Sequence, residues 1–260
     1  ASQQLSRRLS CLFDDEHRAL AVDLGCGFGV GALAYAASMR DAFPCRDHGC
    51  APLNVLGVDV NSGAVYYARG IARRWGLDGS CAFVDEDALS VLRKLREGMY
   101  AGPVVQLMLS CPTPYAVSFG CSPRAKAATL NFLGGRSLFQ EAAKVLAVGG
   151  TLHLAANVED VAVSLFAEAL ACGLEPLMST TDLAGGYCTT IQPQRAKASL
   201  TAGSRRSSTS QGRDPRRQAI WRAAGGDRAE GRAWDVGQAL LLEARSETEL
   251  AHTLEGREIY

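Results

Sequence analysis

Leu20-Ala21-Val22-Asp23-Leu24-Gly25-Cys26-Gly27-Phe28-Gly29 decides how the rest of the chain reads. A short apolar run ends in three glycines at alternate positions, and Val30 to Met39, rich in alanine and leucine, follows at once. The run reads as a buried strand and the following stretch as a helix. Between them, glycine tolerates positive φ and lets the backbone approach a ligand. A dinucleotide fingerprint would space its glycines G-x-G-x-x-G and aim the helix N-terminus at a pyrophosphate. Here the spacing is G-x-G-x-G, and Asp23 stands two residues before the first glycine. A carboxylate beside the loop repels phosphate and suits a cationic ligand carrying a sulfonium and an ammonium group.

The alternation continues outward from that loop. Asn54 to Val60 reads as a second strand and Ser62 to Trp75 as a second helix, capped by Asn61 or Ser62. Cys81 to Val84 is a third strand, Ala88 to Arg96 a third helix and Val104 to Leu109 a fourth strand. Ser137 to Leu146 is a helix stopped by Gly149-Gly150, followed by a strand over Thr151 to Ala155 and a helix over Val158 to Ala171. Strands alternating with helices imply parallel βαβ units, hence an α/β, doubly wound, Rossmann-like sheet. After Gln192 the pattern dissolves into a polar, basic stretch too poor in large apolar residues to offset the entropy of ordering. Order is expected to return at Val236 to Leu242 as a last strand, with Glu243 to Tyr260 closing the chain. The expectation is one domain: residues 1–191 as its main part, 192–235 as a basic, flexible insertion, and 236–260 completing it.

Composition sets the outer bounds. At 260 residues and 47% hydrophobic, the chain can bury one large core. The 27 basic and 27 acidic residues cancel, but Gln192 to Arg232 carries a net +7, leaving −7 elsewhere. No apolar run reaches the ~18 residues of a membrane span, so no membrane association is expected. Nine cysteines with no C-x-x-C pair suggest a reducing compartment, cytoplasmic or nuclear. Cys45, His48 and Cys50 are three thiol or imidazole ligands in six residues, one short of a structural zinc site, and no metal is expected.

Two further acids sit at strand ends. Asp59 closes the second strand in LGVDVN, where an acid can bind both hydroxyls of an adenosine ribose. Asp87 follows the third strand in FVDEDAL, with Asp85 and Glu86 as near alternatives. Alone, each acid reads as a helix N-cap or a solvated turn. Three acids at the ends of three successive strands all lie on the carboxyl edge, where doubly wound sheets bind ligands. The combination resembles the class I methyltransferases, whose S-adenosylmethionine loop reads E/D-x-G-x-G-x-G. That resemblance implies a mostly parallel sheet with an antiparallel last strand. It also implies that S-adenosylmethionine is held by Asp23, Gly25, Gly27, Gly29, Asp59, Asp87 with the Ala88 backbone, and Ser110.

Leu109-Ser110-Cys111-Pro112-Thr113-Pro114-Tyr115 leaves the fourth strand where such a sheet decides the substrate. Amino-methylating enzymes carry N/D/S-P-P-Y/F here, and the tRNA (guanine-N7)-methyltransferases carry F-P-D-P-W. Pro112-Thr113-Pro114-Tyr115 has the P-x-P-aromatic spacing of the second and interrupts the adjacent prolines of the first. The chain resembles the tRNA enzymes further on. They follow with a helix ending in L-K-P-G-G and a strand leading into A-T-D-x-x-x-Y, where this chain has VLAVGGTLHLAANVEDVA with Ala156-Asn157 at the T-D position. Their C-terminal T-x-Y/F-E, six residues, then glycine is similar to Ser246-Glu247-Thr248-Glu249 followed by Gly256. The similarity spans roughly Ala21 to Thr189 and Val236 to Tyr260 and leaves the basic insertion unmatched.

The resemblance implies tRNA guanine-N7 methylation, with Thr113, Asn157 and Glu249 at the family's catalytic positions and tRNA as substrate. The eukaryotic enzymes of the family also work with a β-propeller subunit. Two acids are missing: the motif acid is Thr113 here and the T-D acid is Asn157. The family's basic run shrinks to Arg124 and Lys126. Guanine N7 is already a lone-pair nucleophile, so transfer needs an in-line approach rather than a general base. Losing carboxylates near a cationic product base costs electrostatic stabilisation, and Thr113 and Asn157 accept hydrogen bonds more weakly than carboxylates. Methylation of an exocyclic amine, with Ser110 and the Cys111 carbonyl as acceptors, stays open. So does a catalytically silent relative that binds RNA or a partner. Cys111 reads as a buried apolar thiol and His153 as a packed side chain.

Overall fold

The computed structural model describes residues 9–42, 53–112, 133–156, 159–177 and 190–193. After a 3-10 turn at Leu9–Leu12, the strands are β1 (Ala19–Leu24), β2 (Leu53–Asp59), β3 (Cys81–Asp85), β4 (Val104–Ser110), β5 (Leu146–Ala155), β6 (Leu174–Leu177) and β7 (Thr190–Pro193). They form one sheet in the order β3-β2-β1-β4-β5-β7-β6. β1 to β5 are mutually parallel, and β7 runs antiparallel to both β5 and β6. The expected doubly wound, mostly parallel sheet is what the chain forms, and the antiparallel strand among the described residues is β7. The strand expected over Val236 to Leu242, like the rest of 194–260, lies outside the described residues. β6 and β7 carry too short an apolar signal to be expected, and β7 includes Gln192 and Pro193, the first residues of the stretch read as insertion.

Among the described residues five helices pack on the two faces: α1 (Val30–Ala42), α2 (Ser62–Arg74), α3 (Ala88–Arg96), α4 (Arg136–Val145) and α5 (Glu159–Ala171). The strand period of two sorts the side chains. Leu20, Val22, Leu24, Leu56 and Val58 join the core under α3, α4 and α5, whereas Ala21 and Val55 join the core under α1 and α2. Both faces are buried, which explains why β1 and β2 read as near-continuous apolar runs.

Asn61, not Ser62, caps α2: its Oδ1 accepts the Gly63 and Ala64 backbone N–H groups at 3.1 and 3.2 Å. One boundary departs from the sequence expectation. Gly149-Gly150 do not stop α4, which ends at Val145; β5 starts at Leu146 and runs through both glycines. Gly149 has φ +81°, and the β4–β5 register slips between Val104 and Gln106. The glycines build a bulge in a strand rather than a helix end.

Candidate functional site

The glycine loop is fastened to the end of β2. Gly25 and Cys26 both donate their backbone N–H to the Val58 carbonyl, at 2.8 and 3.0 Å. Gly25, Gly27 and Gly29 have φ of +77°, +53° and +77°, the left-handed region that an L side chain enters only under strain. Gly29 answers a packing demand as well: an added Cβ would lie 2.6 Å from the Phe83 ring and 2.8 Å from Ala68 Cβ. A Cβ on Gly27 would meet nothing within 4 Å.

Asp59 locks this loop from below. Its Oδ2 accepts the Gly27 N–H at 2.8 Å and its Oδ1 accepts the Asn61 N–H at 2.8 Å. A carboxylate has about four lone-pair sites, so each oxygen keeps one for an incoming hydroxyl. Asp87 caps α3, its Oδ2 accepting the Ser90 N–H at 2.9 Å. The helix-cap role and the strand-end position coincide in one residue.

A cleft of about 270 Å³ opens at the carboxyl ends of β1 to β4, lined by Gly25, Asp59, Glu86, Asp87, Cys111 and Pro112, among others. It lies at the switch point, where the chain leaves β1 for β2 on one side and later returns to β4 on the other. Of the residues singled out in the sequence, Gly25, Asp59, Asp87 and Ala88 line this cleft. Asp23, Gly27, Gly29 and Ser110 stand behind or beside the lining. Asp23 is buried in β1 at 6% exposure, in register with Gly57 and Met108. Thr113, Asn157 and Glu249 lie outside the described residues, as do Arg124, Lys126 and the Cys45–Cys50 loop.

The three neighbouring acids after β3 separate. Asp85 turns toward α2 and pairs with Arg69 at 3.2 Å. Glu86 forms an ion pair with Lys94 and accepts from the Ser90 hydroxyl at 3.2 Å. Glu86 therefore lines the cleft as a carboxylate paired with a lysine, whereas Asp87, like Asp59, forms no ion pair among the described residues. Val60 and Leu133 line the cleft without a motif to announce them, and Glu86, a sequence alternative to Asp87, lines it beside Asp87.

The β4 exit has a backbone signature. Cys111 has φ +49° and is the one non-glycine residue at positive φ among those described. Its N–H donates to the Ala155 carbonyl at 2.7 Å, so the ladder with β5 continues one residue past the strand before Pro112 turns the chain. Left-handed backbone at a non-glycine residue stores strain and concentrates at functional sites. The signal in the sequence was a stiff proline placed after a residue that must turn.

The Cys26 and Cys81 thiols are poor nucleophiles. Burial pushes the Cys26 thiol well above its ordinary range, with the Asp23 and Asp59 carboxylates adding to the shift. Burial, then Asp23 and Asp78, push Cys81 up to about 12. Neither thiol supplies appreciable thiolate at neutral pH. No group of three or more metal-ligating side chains occurs among the described residues, and no described helix is long and apolar enough to cross a membrane.

Fold and cleft define a doubly wound α/β protein with an open cleft at the switch point. No protein-family model matches the chain, and no curated protein matches it. Solved structures similar to it include the cyclase SpnF, 20% identical with a TM-score of 0.40 over 68% of this chain and 59% of that one. They include the precorrin 8w decarboxylase of Methanobacterium thermoautotrophicum, 16% identical with a TM-score of 0.42 over 65% and 70%. They also include the aminoglycoside resistance methyltransferase NpmB1, 15% identical with a TM-score of 0.42 over 69% and 89%. The chain thus spans less than two thirds of the cyclase's length. Their reactions differ, and the function of this chain must come from its own site.

Proposed function

We propose that this chain is an S-adenosylmethionine-dependent methyltransferase that acts on RNA, with guanine N7 of tRNA as the acceptor. One observation carries the cofactor: Asp59, fixed by two backbone N–H groups, faces a switch-point cleft with an acceptor site left on each oxygen. A cis-diol fits such a carboxylate, as in other nucleoside sites at this place in the fold. Asp87 and the Ala88 backbone are the residues proposed to hold the base, and Gly25 the amino-acid end. The lining is acidic rather than basic, which suits a cation and not a phosphate. When bound, the cofactor supplies an electrophilic methyl group on a sulfonium sulfur.

The acceptor reading rests on the β4 exit. Cys111 and Pro112 present no charged group to the cleft, and N7 requires none, because its lone pair attacks directly. The remaining demand is positioning. Thr113, Asn157 and Glu249 are the residues proposed to hold the guanine, tRNA is the proposed substrate, and a β-propeller subunit is a proposed partner in the cytoplasm or nucleus.

The test is methyl incorporation from labelled cofactor into total tRNA, followed by nucleoside identification. N7-methylguanosine is the expected product, and Thr113→Asp should raise its yield. Adding Asn157→Asp should raise it beyond either single change, because both residues would hold one base and neighbouring sites couple. A methylated exocyclic amine would shift the acceptor role to Ser110 and the Cys111 carbonyl. Cofactor binding without any product would identify a silent relative. A folded protein with no calorimetric affinity for the cofactor would end the methyltransferase reading.

A further inference from the structure

We infer that the outer face of α2 is a docking platform for a single-stranded polynucleotide. The solvent side of this helix presents Tyr66, Tyr67, Gly70, Arg73 and Arg74, with Trp75 at its C-cap. These positions follow i, i+3, i+4 spacing and make one stripe. Tyr66 is 78% exposed and Tyr67 55% exposed, and Trp75 is also open to solvent. Side by side they offer flat faces on which another flat group can stack.

Three features point to a polyanion with flat bases rather than to a protein. First, α2 contains no acidic residue, although the chain outside Gln192–Arg232 carries −7. An ordinary solvated helix face would mix both signs. Second, Arg73 and Arg74 form no ion pair among the described residues, whereas Arg69 on the flank is occupied by Asp85 and the Phe83 carbonyl. The free guanidiniums sit about 10 Å along the axis from Tyr66, at 1.5 Å rise per residue. Third, Gly70 lies three and four positions from the two tyrosines, where a Cβ would meet nothing within 4 Å. Packing does not require glycine there, and glycine is a poor helix former. Its effect is a notch between two rings and two arginines. Aromatic faces that stack bases beside cations that follow the backbone are how single strands are held without sequence preference.

The stripe also has a direction. Phe28 of the glycine loop packs edge-on against Tyr67, with ring centroids 5.6 Å apart and planes at 89°. Val60, which lines the cleft, is exposed just before the helix. A strand lying along α2 therefore ends at the cleft rim. The role of this strand as flanking substrate rests on the RNA reading above; its binding does not.

The full chain is tested by fluorescence anisotropy with a fluorescein-labelled single strand of about twelve nucleotides. Ribose, deoxyribose and abasic versions form the three arms. Tyr66→Ala and Gly70→Leu should each weaken binding about tenfold, in the ribose arm for RNA and in both sugar arms for a general single-strand binder. The abasic arm should not respond. Replacing Arg73 and Arg74 by serine should reduce the slope of log affinity against log salt by about 1.4. Gly70→Leu improves helix propensity and should raise the melting temperature, so its loss of binding is separable from unfolding. Calorimetry on the same variants should find cofactor affinity unchanged, which separates failure of the platform from failure of the methyltransferase reading. Unchanged oligonucleotide affinity in both Tyr66→Ala and Gly70→Leu would overturn the platform. So would a change in sedimentation without a change in affinity, which would mark the face as a protein contact.

Discussion

The two faces of the sheet are built on different principles. Under α3, α4 and α5 the strands present Leu20, Val22, Leu24, Leu56, Val58, Leu107, Leu109 and Leu152, an unbroken field of large aliphatic groups. Under α1 and α2 one row crosses five strands in register: Phe83, Gly57, Asp23, Met108 and His153. That row holds a glycine, a buried acid and a buried imidazole. The alanine-rich α1 reaches it through Ala32 and Ala36, and its Tyr35 hydroxyl donates to Gln106. The aliphatic face stabilises by burial. The other face sets a close approach of α1 and its glycine loop to the sheet, and so it determines the shape of the cleft.

Truncation on the aliphatic face and enlargement on the other should both be costly, for opposite reasons. Leu107 is fully buried at the sheet centre. Leu107→Ala should cost about 3 kcal/mol in chemical denaturation through the cavity it leaves. Gly57→Ala should cost about 2 kcal/mol by overpacking, since the new Cβ would overlap the buried Phe83 ring. Phe83→Leu in the Gly57→Ala background should recover part of that loss, a coupling a double-mutant cycle measures. If Gly57→Ala is silent, the faces do not differ as described.

The buried imidazole sharpens the contrast by pH. Burial lowers His153 from its ordinary 6.5 to about 4. Its neutral form is favoured in the folded state, so the unfolded chain binds the proton first as pH falls. The corresponding stability is present above pH 6.5 and is lost toward pH 4. By pH 5.5 the loss is on the order of 1 kcal/mol. The stability difference between wild type and His153→Gln should shrink by that amount between pH 7.5 and 5.5. A constant difference would mean that His153 is solvated.

The effect at Asp59 falls on ligand affinity rather than on folding. Asp59→Ala removes the acceptor for two backbone N–H groups and the proposed ribose contact. Calorimetry should show cofactor affinity weakened by about 1–3 kcal/mol.

Much of this was legible in the chain. The loop, strand ends and alternating elements were readable because fully buried parallel strands leave apolar runs and their C-terminal turns need glycine or an acid. The start of β5 was not, because a glycine pair after a helix looks the same as a stop signal or as a bulge until the neighbouring register is known. The sorting of Asp85, Glu86 and Asp87 was not legible either. It depends on Arg69 and Lys94 arriving from two different helices. Nor does a sequence reveal which loop glycines are held by φ alone and which by contact.

That last distinction gives the smallest effect expected. Gly27 and Gly29 occupy the same motif and both have positive φ, but only Gly29 has atoms waiting where a Cβ would go. Gly27→Ala should therefore cost about 1 kcal/mol, the strain of left-handed backbone alone. Its N–H remains available to Asp59. Gly29→Ala should cost more, because the Phe83 ring and Ala68 must move as well. Asparagine enters the left-handed region more readily than alanine, so Gly27→Asn should recover part of the loss and Gly29→Asn none. Equal costs at the two positions would show that Gly27 is also held by contact, and that the loop as a whole, not only its helix-side half, is wedged against the α1–α2 face.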